Sequence, residues 1–153
     1  YCPNSTFKVT QTSACVNNVD CPNFYYANNR TWLCEQCDSS CLTCTGGQAE
    51  NCASCSPTAT LRYLLLSMCW SVCPGGYYPN NTASACQICP KTLNCGNCTY
   101  NNGTDTILCT SCAYGYFLLG SVCSSDCGID KFAFLGNNSC MSCHSSCATC
   151  TGP

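Results

Sequence analysis

Eight Cys-x-x-Cys pairs stand within 153 residues, and paired thiols at that spacing support three kinds of chemistry. Two such pairs can hold a tetrahedral zinc ion. One pair at a helix N-terminus can act as a redox dithiol. Many pairs in one chain can instead close as cystines and take over the work of a hydrophobic core. The 23 cysteines favour the third use, since they exceed by far the level that marks a disulfide scaffold. A lone histidine and a wealth of Tyr and Phe argue against a metal-cluster protein, and no helix or βαβ context supports a redox dithiol. No metal or cofactor is expected, and the native protein should carry no stoichiometric zinc.

The other reactive residues offer little. His144 lies between Cys143 and Cys147 beside Ser145 and Ser146, but its counterpart in an earlier copy of the phrase is Asp38 with Ser39 and Ser40. The slot reads as a polar turn, without the scaffold that a catalytic triad needs. Paired acids and bases, Gly-rich phosphate loops and Walker patterns are absent, so no enzyme is expected. Five Lys and Arg, nowhere clustered, in a chain of net charge −2 cannot neutralise a run of phosphates, which excludes nucleic acid as a partner.

Cystines at this density persist in an oxidising compartment, which places the chain outside the cell or on its surface. Six N-x-Ser/Thr sequons agree, at Asn4, Asn29, Asn80, Asn97, Asn102 and Asn137. Asn97 is the weakest acceptor, because its middle residue Cys98 is expected to be bridged. Charged residues make up only 8% of the chain, and N-glycans would supply the missing hydration. The most apolar stretch, Leu61 to Trp70, is far shorter than the roughly 20 residues of a membrane-spanning helix, so no transmembrane segment is expected. The chain opens at Tyr1 without a charged and then apolar leader, and any signal peptide is expected to have been removed.

The elements that hold these cysteines repeat. Cys21 and Cys34, Cys73 and Cys86, and Cys127 and Cys140 each enclose twelve residues, and the three pairs start 52 and 54 residues apart. Each enclosed stretch has aromatics near its front and then an Asn pair, as in CPNFYYANN, CPGGYYPNN and CGIDKFAFLGNN. Such a pattern reads as a short β-hairpin with a polar turn. Tight clusters follow each one: CEQCDSSCLTC, CQICPKTLNCGNC and CMSCHSSCATC. Further loops run from Cys2 to Cys15, Cys55 to Cys69 and Cys112 to Cys123. Gly, Asn, Pro, Ser and Thr punctuate the chain about every ten residues, and no window sustains a helical apolar period. The expected fold is small and disulfide-rich, mostly short β-hairpins and loops with little helix, in an elongated tandem-repeat rod. The units fall at 1–54, 55–111 and 112–153, the first starting mid-motif and the last truncated.

The recurring order of CxxC, GYY and CP.GYY motifs, over essentially the whole chain, resembles the furin-like or growth-factor-receptor-like cysteine-rich repeats. Such repeats occur in receptor ectodomains, in proprotein convertase tails and in protist surface proteins. The resemblance implies a pairing that spacing alone leaves open. The implied bonds join Cys2 to Cys15, Cys21 to Cys34, Cys37 to Cys44, Cys41 to Cys52, Cys55 to Cys69 and Cys73 to Cys86. They continue with Cys89 to Cys98, Cys95 to Cys109, Cys112 to Cys123, Cys127 to Cys140 and Cys143 to Cys150. Cys147 is left unpaired within the chain. Because Cys41 and Cys95 are implied to bond forward by 11 and 14 residues, a partner for Cys147 is expected downstream of Pro153, in a longer tandem-repeat chain.

One stretch exceeds what the repeat requires. LRYLLLSMCW is more apolar than its counterparts STFKVTQTSAC and YGYFLLGSVC, which makes Leu64, Leu65, Leu66, Met68 and Trp70 candidates for packing between units or for an interface with a ligand or a second copy. The leading functional expectation is an extracellular, glycosylated structural protein forming a surface coat, stalk or filament, with self-association or other surface proteins as partners. The alternative is a spacer, dimerisation or ligand-binding segment of a receptor ectodomain.

Overall fold

A computed structural model describes Cys2 and residues 6–152. Its strands are short, because turn-forming residues interrupt the alternating apolar pattern every few positions. In chain order they are β1 (Phe7–Lys8), β2 (Cys15–Val16), β3 (Tyr25–Asn28), β4 (Leu33–Gln36), β5 (Cys41–Cys44), β6 (Cys52–Cys55), β7 (Tyr63–Leu65) and β8 (Met68–Trp70). Then follow β9 (Tyr77–Asn80), β10 (Ala85–Ile88), β11 (Cys95–Asn101), β12 (Thr106–Cys112), β13 (Phe117–Leu119), β14 (Val122–Ser124), β15 (Lys131–Phe134) and β16 (Ser139–Ser142). Helix among the described residues is confined to three 3-10 turns, Asn18–Asp20, Ala49–Asn51 and Lys91–Leu93. The fold is therefore the disulfide-rich set of hairpins and loops that the cysteine spacing predicts.

One sheet plan recurs. The orders β2-β1-β4-β3, β8-β7-β10-β9 and β14-β13-β16-β15 are the same arrangement of two hairpins, and two-stranded ladders β5-β6 and β11-β12 lie between them in sequence. Within each four-stranded sheet the hairpins meet along a parallel contact: Lys8 beside Leu33, Leu64 beside Ala85, and Leu118 beside Ser139. The joint is a single backbone bond in each case. The amides of Lys8, Leu64 and Leu118 donate to the carbonyls of Trp32, Ser84 and Asn138 at 3.0, 2.9 and 2.8 Å. Those three acceptors all have positive φ, at 56°, 48° and 50°. A left-handed residue there turns its carbonyl out of its own hairpin and toward the neighbouring one. Asn tolerates that conformation, whereas Trp and Ser adopt it at some strain.

The chain divides into two compact units, Tyr1–Cys73 with Asn80–Cys86, and Pro74–Pro79 with Gln87–Pro153. In the first, Phe7, Val9 and Cys34 form one buried cluster, and Cys37, Cys41 and Cys52 form another against which Leu64 and Cys69 pack. In the second, Tyr78, Cys89 and Cys98 are buried together, flanked by Cys95, Tyr100 and Ile107. Eleven of the sixteen buried apolar side chains are half-cystines, so sulfur occupies the place that aliphatic side chains hold in an ordinary domain.

Candidate functional site

The network of cystines is the feature around which everything else is arranged. Six bonds close simple loops: Cys2–Cys15, Cys21–Cys34, Cys55–Cys69, Cys73–Cys86, Cys112–Cys123 and Cys127–Cys140. Two clusters each carry a crossed pair, Cys37–Cys44 with Cys41–Cys52 and Cys89–Cys98 with Cys95–Cys109. Cys143–Cys150 completes the eleven. Cys147 is a free, exposed thiol in this chain. The sulfurs of Cys95, Cys109 and Cys123 lie within 4.8 Å of one another, a spacing that thiolates could offer to a metal. All three are tied up in disulfides, and an oxidised sulfur is not a thiolate ligand.

The His144 slot is a turn. The Ser146 amide donates to His144 Nδ1 at 3.3 Å and the Ser146 hydroxyl lies 2.7 Å from the same atom, so Nδ1 accepts and the ring proton sits on Nε2. Asp38 does the same at its position, accepting from the Ser40 amide at 2.9 Å and the Ser40 hydroxyl at 2.7 Å. Those hydrogen bonds hold the Asp38 carboxyl below the usual aspartate range.

A cross-strand polar pair recurs with changed chemistry. Tyr26 faces Glu35 across β3 and β4, and its hydroxyl donates to the carboxylate at 3.1 Å. In the second unit the Tyr78 hydroxyl donates to the Gln87 side chain at 2.7 Å. Phe132 opposite Met141 is the apolar version. Glu35 also accepts from the Asn28 amide and the Thr31 hydroxyl, both at 2.7 Å. The Asn28 bond, then the Thr31 bond, then against partial desolvation the Tyr26 bond, hold the Glu35 carboxyl below its ordinary value. A depressed folded-state pKa contributes stability that is complete above the unfolded value, about 4.3, and is lost as pH falls through the folded value. Melting temperatures of the wild type and Glu35→Gln, compared from neutral to acid pH, should differ near neutrality and converge in acid. A difference constant with pH would remove Glu35 as the source.

The apolar stretch divides when folded. Leu64 packs onto the Cys37, Cys41 and Cys52 cluster, and Leu65 is half-buried. Leu66, at 84% exposure, stands out with Met68 and Trp70 on the surface. Leu66 and Ser67 form the two-residue turn between β7 and β8, and both have positive φ, 50° and 61°. That is the type I′ pattern, for which Asn-Gly is the favoured pair. The Ser67 carbonyl accepts from the Cys52 amide at 2.9 Å, which anchors the turn to the cystine cluster. Sequence periodicity could not separate Leu64 from Leu66, because the strand is three residues long and the turn begins directly after it.

Five sequons fall on described residues; Asn4 lies outside them. Asn29, Asn102 and Asn137 are exposed. Asn80 is half-buried and its Oδ1 accepts from the Ala83 amide at 2.9 Å. Asn97 uses both ends of its amide: Oδ1 accepts from Gly76 at 2.8 Å and Nδ2 donates to Ser111 at 3.1 Å.

A chain whose interior is cystine, built from recurring hairpin pairs, defines the class of cysteine-rich repeat proteins that reside outside the cytosol. No protein-family model matches it. It is 33% identical over 137 residues to the human extracellular matrix organizing protein FRAS1, covering 88% of this chain and 3% of that protein. The Drosophila melanogaster furin-like protease 2 is 30% identical over 125 residues, covering 78% of this chain and 7% of the protease. Cysteine repeat modular protein 1 of Tetrahymena thermophila is 29% identical over 135 residues, covering 88% of this chain and 4% of that protein. The likeness falls on the cysteine-rich repeat regions of these larger proteins. The chain is built of furin-like cysteine-rich repeats. It spans less than a tenth of the length of these relatives. No helix among the described residues is long and apolar enough to cross a membrane. Its location is extracellular or at the cell surface, as eleven disulfides require.

Proposed function

We propose that this chain is a non-enzymatic structural segment of an extracellular protein, a disulfide-stiffened spacer whose repeats at 1–54, 55–111 and 112–153 stack end to end in a coat, stalk or filament. The observation that carries the reading is the interior itself: half-cystines fill most of the buried positions, and no cavity gathers groups suited to catalysis. A loop of about 15 residues closed by a bond removes roughly 3 kcal/mol of unfolded-chain entropy. Eleven such closures, even heavily non-additive, give stiffness and resistance to proteolysis without an aliphatic core. The relatives agree in kind, since one is by name an organiser of extracellular matrix. Negative-stain imaging with sedimentation over a concentration series tests the reading. Stiff particles that lengthen into fibres with concentration support it; compact monomers at all concentrations sink it.

A dimerisation or ligand-binding segment of a receptor ectodomain is the second reading, favoured by the exposed Leu66, Met68 and Trp70. Saturable binding of a soluble partner without fibres would select it. In either case N-glycans cover the flanks. Glycopeptide mapping should find Asn29, Asn102 and Asn137 occupied and Asn97 largely bare, because a glycan on Nδ2 of Asn97 would break its bond to Ser111. Full occupancy at Asn97 would show that this bond is dispensable.

A further inference from the structure

The two disulfides Cys95–Cys109 and Cys112–Cys123 share one sulfur cluster, and that cluster admits a second complete pairing. The sulfurs of Cys95, Cys109 and Cys123 lie within 4.8 Å of one another, and Cys112 is bonded to Cys123. Cys95 and Cys112 are also direct partners across the β11–β12 ladder. Directly opposed residues of an antiparallel pair have Cα atoms about 4.5 to 5.5 Å apart, which falls inside the separation a disulfide spans, about 4.4 to 6.8 Å. Cys109 and Cys112, by contrast, sit three residues apart on β12, about 10 Å along an extended strand, and cannot bond without breaking it. The four cysteines therefore have two pairings that leave the strands in place: the one observed, and Cys95–Cys112 with Cys109–Cys123.

We propose that this cluster is a thiol-triggered disulfide interchange site that conserves both cross-links. Cys112 is half-buried, whereas Cys109 and Cys123 are 4% and 8% exposed, so a small thiolate from solvent reaches Cys112. Its attack on Cys112 Sγ breaks the Cys112–Cys123 bond, leaves a mixed disulfide on Cys112 and puts the electron pair on Cys123. The Cys123 thiolate attacks Cys109 Sγ, the Cys109–Cys123 bond forms, and Cys95 leaves as thiolate. Cys95 then attacks Cys112 Sγ across the ladder, closes Cys95–Cys112 and expels the original thiolate. Two disulfides are consumed and two are made, with no net oxidation and the thiol regenerated. A thiol encounter that would open an ordinary bond leaves this segment fully cross-linked. The first unit has the same ladder pair, Cys41 opposite Cys55, with Cys69 packed on the Cys41 and Cys52 cluster.

The test uses the native chain and glutathione. After incubation, acid quenching and alkylation, non-reducing peptide mapping should recover Cys95–Cys112 and Cys109–Cys123 beside the original bonds, with no loss of free glutathione. Recovery of the original bonds alone, or of glutathione trapped on Cys112 with Cys123 alkylated, overturns the proposal. In Cys112→Ser, alkylation should be lost from Cys123 and gained on Cys95, because Cys123 captures Cys109. Label on Cys123 with Cys95–Cys109 intact overturns it equally. If that variant does not fold, the glutathione experiment on the native chain stands alone.

Discussion

Replacing Cys41 and Cys52 together by alanine is expected to lower the unfolding free energy of the first unit by about 3 kcal/mol through loop-closure entropy alone. The full loss should be larger. Cys41, at 1% exposure, is the most deeply buried side chain among the described residues, and it packs with Cys37 and Cys52 beneath Leu64 and Cys69. Losing both sulfurs leaves a void, and a cavity adds its own penalty to the lost cross-link. Folded domains hold only about 5 to 15 kcal/mol in total, so the loss is a large share. The double substitution avoids a stray thiol that could exchange with its neighbours. Both tryptophans of the chain, Trp32 and Trp70, lie in this unit, so denaturant unfolding followed by Trp fluorescence reads it directly. Removing Cys143–Cys150, whose half-cystines are only partly buried, should lower stability less. An unchanged Trp transition after loss of Cys41–Cys52 would mean that the buried cluster is not what holds the unit together.

Leu66→Asn is expected to make the protein more stable and less prone to associate. An L-residue held in the left-handed region is disfavoured by about 1 to 2 kcal/mol, and Asn is one of the few side chains that tolerate it, so the gain should be about 1 kcal/mol. Leu66 buries nothing that the substitution would lose, being 84% exposed. A residue that is both strained in backbone and exposed in side chain is poorly explained by folding, and that is the reason to assign it to a contact with another molecule. Leu64→Asn should do the opposite, lowering stability by about 2 to 5 kcal/mol as a lost packing contact on the cystine cluster. Equilibrium sedimentation beside chemical denaturation separates the two. Association unchanged in Leu66→Asn would remove the turn from the interface, and a loss of stability would contradict the strain argument.

The amino-acid order alone determined the class of this protein. Cysteine density excluded an ordinary core, and twelve-residue loops with aromatics and Asn pairs marked out hairpins such as the one from Cys21 to Cys34. Both are local signals, carried by composition and by period-two alternation over a few residues. The Tyr26–Glu35 and Tyr78–Gln87 pairs were present in the same stretches but could be seen only once the register was known. Tertiary structure decided three further things. It joined the hairpins in parallel through the left-handed carbonyls of Trp32, Ser84 and Asn138, three residue types with no shared propensity. It separated Leu64, packed on sulfur, from Leu66 two residues later. It also brought Cys95, Cys109, Cys112 and Cys123 together in one cluster, where a second pairing exists. None of these is written in spacing, because each depends on the sign of one backbone angle or on which strands lie side by side, and contacts across many residues fix both.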